Sequence, residues 1–127
     1  MRVILAGATG WAGSAVARGI ARADDLRLVG AVARAAAGRT LDAVLGEPKL
    51  AAPVYATADE ALATPCDVFV EFTKPDAAKA NIRAALSAGA HVVVGTSGLG
   101  DDDYAEIDAL ARDGRRGVLA CGNFALT

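Results

Sequence analysis

The sequence predicts an α/β domain built on a doubly wound parallel sheet, and three observations lead there. Short β-rich runs alternate with longer helical patterns along the whole chain. Several runs are apolar without interruption, as in strands covered on both faces. Glycine-rich or polar turns follow those runs at their carboxyl ends. The 127 residues fit one domain, residues 1–127, with enough chain to bury a core.

Each element follows in order. Arg2-Val3-Ile4-Leu5-Ala6 is a buried strand ending at Gly7. Ala12, Ala15, Val16, Gly19, Ile20 and Ala23 recur at helical spacing, with Arg18 and Arg22 on the other face, until Asp24-Asp25 breaks the pattern. Leu26 to Val32 is the second strand, and Arg34 follows its end. A short helix is expected around Thr40–Leu45, stopped by Gly46 and Pro48. Val54-Tyr55 reads as a short strand and Asp59–Ala63 as a helical turn. Asp67 to Phe72 is a strong strand. Thr73 and Pro75 then open a helix in which Ala78, Ile82, Ala85, Leu86 and Gly89 share a face. His91 to Val94 is a buried strand, Asp101 to Asp113 a helix with a polar face, and Gly117 to Cys121 a last strand.

The turn Gly7-Ala8-Thr9-Gly10-Trp11-Ala12-Gly13 carries the strongest chemical signal. Gly7 can turn the chain tightly, Gly10 admits backbone close to a pyrophosphate, and Gly13 lets the helix pack against the sheet. The helix N-terminus offers N–H groups and a partial positive charge to phosphates. Glycines often mark plain turns, but here a strand precedes, an amphipathic helix follows, and a second strand comes within about 30 residues. The sheet is therefore of the Rossmann type, holding a dinucleotide. Trp11 reads either as a helix-start residue packed on the surface or as a wall along the phosphates.

The dinucleotide fingerprint expects an acid about 20 residues on, accepting from the ribose 2′-hydroxyl. Ala33 stands there instead, followed by Arg34. A carboxylate would repel a 2′-phosphate and an arginine attracts it, so the pair favours NADPH, with NADH as the alternative. Other strand ends point the same way. Phe72-Thr73-Lys74-Pro75-Asp76 reads either as a turn with Thr73 and Asp76 as a helix-capping pair or as a site with Phe72 and Thr73 beside a nicotinamide. Gly95-Thr96-Ser97-Gly98 is a simple loop or a close approach to ligand. Gly122-Asn123-Phe124 is a chain exit or the far rim of the same pocket.

Several classes are set aside. The formal net charge of −2 argues against a nucleic-acid binder. His91, the only histidine, starts a strand on the wrong side of the sheet and reads as a surface residue. Tyr55 and Tyr104 have Asp59 and Asp108 four residues on, so a Tyr/Lys pair is missing. No metal-like spacing and no nucleophile–base pair stands out. Cys66 and Cys121 read as buried thiols of a reducing compartment. The N-terminus shows no leader and the chain no apolar span, so a cytoplasmic protein without membrane contact is expected.

In this order and spacing, Gly7-Ala8-Thr9-Gly10-Trp11-Ala12-Gly13, Glu71-Phe72-Thr73-Lys74-Pro75-Asp76, Gly95-Thr96-Ser97-Gly98 and Asn123-Phe124 resemble the 4-hydroxy-tetrahydrodipicolinate (dihydrodipicolinate) reductase family of the diaminopimelate and lysine pathway. The resemblance covers nearly the whole chain. It implies cofactor contacts at Gly7, Ala8, Thr9, Gly10, Trp11, Ala12, Arg34, Gly95, Thr96, Ser97, Cys121, Gly122, Asn123 and Phe124, beside the Phe72 and Thr73 already read as lying near a nicotinamide. It also implies hydride transfer from nicotinamide to a cyclic imine-type substrate. Ala12, Glu71, Ser97 and Ala125 stand where the family pattern has Met, Asp, Thr and Ser. The family's catalytic acid, its substrate contacts and its tetramer-forming sheet belong to a second domain, expected after Thr127. No catalytic residue is therefore assigned to this chain, and the full-length form is expected to be a homo-oligomer. The competing expectations are a non-catalytic NADP-sensing domain and a different NAD(P)-dependent oxidoreductase.

Overall fold

Val3, Ile4, Leu5 and Ala6 are all buried, although neighbours on a strand point to opposite faces. Such a strand needs a helical layer on each side, and the chain supplies both. The structure is a computed structural model, and the residues it describes are 1–120.

The strands are β1 (Arg2–Ala6), β2 (Arg27–Val32), β3 (Val54–Tyr55), β4 (Val68–Glu71), β5 (His91–Val94) and β6 (Val118–Ala120). They form one six-stranded sheet in the order β3-β2-β1-β4-β5-β6. Every neighbouring pair is parallel. The helices are α1 (Trp11–Arg22), α2 (Leu41–Leu45), α3 (Ala58–Ala61), α4 (Pro75–Ser87) and α5 (Asp101–Gly114), with a 3-10 turn at Arg34–Ala36. The helical turn expected at Asp59–Ala63 forms one residue early, as α3, with Thr57 as its cap accepting from the Glu60 N–H.

The core lies in two layers. On one face Ile4, Phe69 and Val92 meet Ala78 and Ile82 of α4, Ile107 of α5, and Ala58 and Ala61 of α3. On the other, Val3, Leu5 and Val70 meet Ala17 and Ile20 of α1, together with Leu41 and Leu50. The helices are rich in alanine where they face the sheet, which lets them sit close.

This strand order has a consequence for function. The chain starts at β1 in the middle, runs outward through β2 to β3, then returns to β4 on the other side of β1. The loops leaving β1 and β4 therefore part, and a crevice opens beyond the carboxyl ends of these adjacent strands.

Candidate dinucleotide site

The turn after β1 is as tight as its glycines allow. Gly7 has φ +81°, a left-handed conformation, and a Cβ there would lie 2.7 Å from the Phe72 carbonyl carbon. A Cβ at Gly13 would lie 2.7 Å from the Gly7 carbonyl carbon and closer still to its oxygen. Both glycines are demanded by the fold itself. Gly10 is different. Its φ of −71° suits any residue, and a Cβ would meet only the Gly7 oxygen, at 3.4 Å. Among the described residues nothing demands glycine there, and the backbone at Gly10 is left bare. Gly10 is also the N-cap of α1 and brings no side chain to cap the free N–H groups, and the first turn of α1 carries no acid. Helix α5 shows the opposite arrangement. Three aspartates fill its first turn, and the Asp103 carboxylate accepts from the Gly100 N–H at 3.0 Å. Of these two helices, the one beside the glycine turn is left open to an anion.

A cleft of about 710 Å³ occupies the crevice. Gly7, Thr9 and Gly10 form its floor at one end, and Val32, Ala33 and Arg34 lead away along the end of β2. Phe72, Thr73 and Lys74 line it from the β4 loop, while Ala77, Ala80 and Asn81 line it from α4. Arg34 is exposed, and among the described residues no carboxylate is bonded to it. Lys74 is a second exposed cation on the same cleft. Asp59 and Asp76 also line it, but each lies in the first turn of a helix, where a carboxylate complements the helix dipole.

The second flank is buried and bonded. Glu71, the last residue of β4, is 0% exposed. Its Oε1 accepts from the Thr73 N–H at 2.7 Å and also from the Thr73 hydroxyl. Burial pushes the Glu71 carboxyl above the usual carboxylate range, against the pull of the Thr73 bonds and smaller contributions from Asn81 and Thr96. Thr96 donates to the Thr73 carbonyl at 2.9 Å, and the Gly95 N–H donates to the Glu71 carbonyl at 2.8 Å. The Phe72 ring fills the space that a Cβ on Gly95 would need. The loops after β4 and β5 are thus locked together.

Of the residues expected at the site, Gly7, Thr9, Gly10, Arg34, Phe72 and Thr73 line the cleft. Gly95 and Thr96 stand immediately behind Phe72 and Thr73 rather than on the wall. Ala8 is buried among the residues under α1, and Ala12 and Ser97 are exposed. Trp11 is the first residue of α1 but is 89% exposed, so it is not packed on the surface, and it is not among the residues that line the cleft. Cys121, Gly122, Asn123 and Phe124 lie outside the described residues.

Two other readings are corrected, the capping pair at Thr73 and Asp76 and the burial of Cys66. Thr73 and Asp76 do not form a capping pair. Pro75 is the first residue of α4, which makes Lys74 the N-cap, and the Thr73 hydroxyl is taken by Glu71 instead. His91 lies at the surface as expected, and its Nδ1 accepts from the Gly117 N–H at 2.8 Å. Cys66 is a free, half-buried thiol, less enclosed than expected. The contribution of Glu71 was not visible in advance, because an acid closing an apolar strand reads as a strand-end residue. Its sequence signal is a carboxyl two residues before a threonine that precedes Lys-Pro. Among the described residues no group of acidic, histidine or cysteine side chains could hold a metal, and no helix is long and apolar enough to cross a membrane.

The strand order, the glycine turn and the open helix end define a Rossmann-type α/β domain. Residues 1–124 match the family model described as dihydrodipicolinate reductase, N-terminus, and the chain belongs to that family. A 4-hydroxy-tetrahydrodipicolinate reductase from Synechococcus elongatus is 35% identical over 98% of this chain and 48% of its own length. The enzyme of the same name from Dictyoglomus turgidum is 33% identical over 99% of this chain and 47% of its own length. Among solved structures, a dipicolinate-bound dihydrodipicolinate reductase from Paenisporosarcina sp. TG-14 superposes with a TM-score of 0.82 at 23% identity, covering 99% of this chain and 48% of that one. That likeness bears on the fold. The chain spans about half the length of the curated relatives it matches.

Proposed function

We propose that this chain is the NADPH-binding half of a reductase that delivers hydride to a cyclic imine-type substrate, the substrate being held by a second domain. The observation that carries the reading is the cleft itself, which runs from the bare backbone at Gly10 to the guanidinium of Arg34, unpaired among the described residues. Its volume is that of a site for a molecule of cofactor size. Gly10 and the uncapped N-terminus of α1 take the pyrophosphate. Arg34, with Ala33 in place of the ribose-binding acid, takes the 2′-phosphate. Phe72 and Thr73 lie along the nicotinamide, whose chemistry when bound is hydride donation. Residues 7–10 bind, Arg34 selects, and the Phe72–Thr73 wall orients the ring. Family membership supports the reductase reading, and the reach of the chain, half of its relatives, supports a substrate-holding partner domain. In the full-length form we expect a homo-oligomer. A reduced thiol at Cys66 suits the cytoplasm.

Titration by NADPH fluorescence tests the reading, with Arg34→Asp as the decisive variant. Losing a charge-assisted contact to phosphate and gaining a repulsion weakens NADPH by roughly 10- to 100-fold while NADH changes by less than about 3-fold. Equal loss for both cofactors would remove the 2′-phosphate role, and no NADPH binding by the parent protein would overturn the reading.

A further inference from the structure

We propose that Glu71 is a positioning residue of the dinucleotide site, whose carboxyl joins the loops after β4 and β5 into one unit and so sets the nicotinamide-side wall. The inference rests on the NADPH reading above and deepens it.

Glu71 occupies a place where a carboxyl is costly. The preceding residues of β4 are Val68, Phe69 and Val70, and the residues beside Glu71 on the neighbouring strands are Ala6 and Val94. Oε2 is buried and makes no direct hydrogen bond, although the Asn81 side chain lies near enough to favour the charged carboxyl slightly. An unmet acceptor in an apolar layer destabilises the fold, and an apolar side chain of similar size would avoid the cost. The carboxyl is explained by what Oε1 does. It takes both the N–H and the hydroxyl of Thr73, two residues ahead, and so bends the chain immediately after the strand. That bend turns Phe72 and Thr73 to the cleft. Thr96 then ties the bend to the β5 loop through the Thr73 carbonyl at 2.9 Å, with Glu71 Oε1 a further 3.5 Å contact. The Phe72 ring closes the unit from the other side, against Gly95.

The adenosine-side groups belong to separate elements. Arg34 sits on the 3-10 turn after β2, and Gly10 on the turn after β1. Neither is bonded to Glu71. Loosening Glu71 therefore frees one half of the site and leaves the other.

The test compares two probes on the full-length protein. NADPH spans the whole cleft, whereas 2′,5′-ADP carries only the adenosine half with its 2′-phosphate. Glu71→Ala is expected to weaken NADPH by about 10-fold or more and 2′,5′-ADP by less than about 2-fold. Glu71→Gln keeps an acceptor for Thr73 and is expected to restore NADPH to within about 3-fold of the parent. Thr96→Val, which removes the tie but keeps the shape, should repeat the selective loss if Glu71→Ala folds poorly by thermal denaturation. Equal loss of both probes, or unchanged NADPH binding in Glu71→Ala and Thr96→Val, overturns the positioning role while leaving the cofactor reading intact. A parent protein that binds neither probe overturns the cofactor reading, and the positioning role falls with it.

Discussion

The two flanks of the cleft are built on opposite plans. On the side of β1 and β2, the polar groups are exposed and uncommitted: the first N–H groups of α1, and the guanidinium of Arg34. On the side of β4 and β5, the exposed Lys74 apart, they are buried or half-buried and already bonded to one another through Glu71, Thr73 and Thr96. The difference matches what each half of a dinucleotide requires. Phosphates need charge and free donors, which a protein provides by leaving them unsatisfied until the ligand arrives. A nicotinamide must be held at a fixed angle for hydride transfer, which favours a wall whose own hydrogen bonds are complete before binding.

The largest effect should come from the residue that allows the open flank to exist. A Cβ at Gly13 would overlap the Gly7 carbonyl, which is backbone and cannot turn aside. Gly13→Ala is expected to destabilise the fold by roughly 3 kcal/mol or more, since both the turn and α1 must shift. Gly10→Ala is the sharpening partner. Its Cβ has room in the protein, so the denaturation midpoint should hold while NADPH binding falls by about 10-fold. Urea unfolding and fluorescence titration on the two variants separate a glycine kept for the fold from one kept for the ligand. If both lose stability alike, the contrast between them is wrong.

Much of this was legible beforehand, and the reasons are local. The strand at Arg2–Ala6 announces itself because both its faces are covered, so its apolar run has no gaps. The place of Arg34 on the cleft was legible because it depends on a fixed distance from the glycine turn. Glu71 was not, because its role comes from a bend toward Thr73 and from Thr96, 25 residues away, which only the pairing of β4 with β5 brings near. The capping role expected of Thr73 failed for the same reason. Capping patterns assume that a hydroxyl's nearest partner is its own helix, and here a buried carboxyl competes and wins.

The bonded flank can be probed through pH. Burial holds the Glu71 carboxyl above its ordinary range, so the folded state binds that proton more tightly than the unfolded chain does. Stability is therefore greatest while the group is protonated in both states, and it declines as pH rises from the ordinary carboxyl range through the raised value. Glu71→Gln does not titrate. Its denaturation midpoint relative to the parent should climb as pH rises above the ordinary carboxyl range and level off once the raised value is passed. A constant difference across that range would mean that burial does not govern this carboxyl.

The smallest effect belongs to the opposite end of the sheet, and it tests whether the edge strand depends on one side chain. His91 begins β5, and its Nδ1 accepts from the Gly117 N–H just before β6. The residue is exposed, so water can replace the lost acceptor in His91→Ala, and the cost should stay below about 1 kcal/mol. The local signature should be clearer than the global one. Among the described residues, strand β6 lies at the sheet edge and pairs only with β5. Amide hydrogen exchange at Gly117 and Val118 should quicken while the amides of β1, in the middle of the sheet, keep their protection. Protection lost equally at β1 would show that the edge and the centre open together, and that the histidine holds more than the strand it touches.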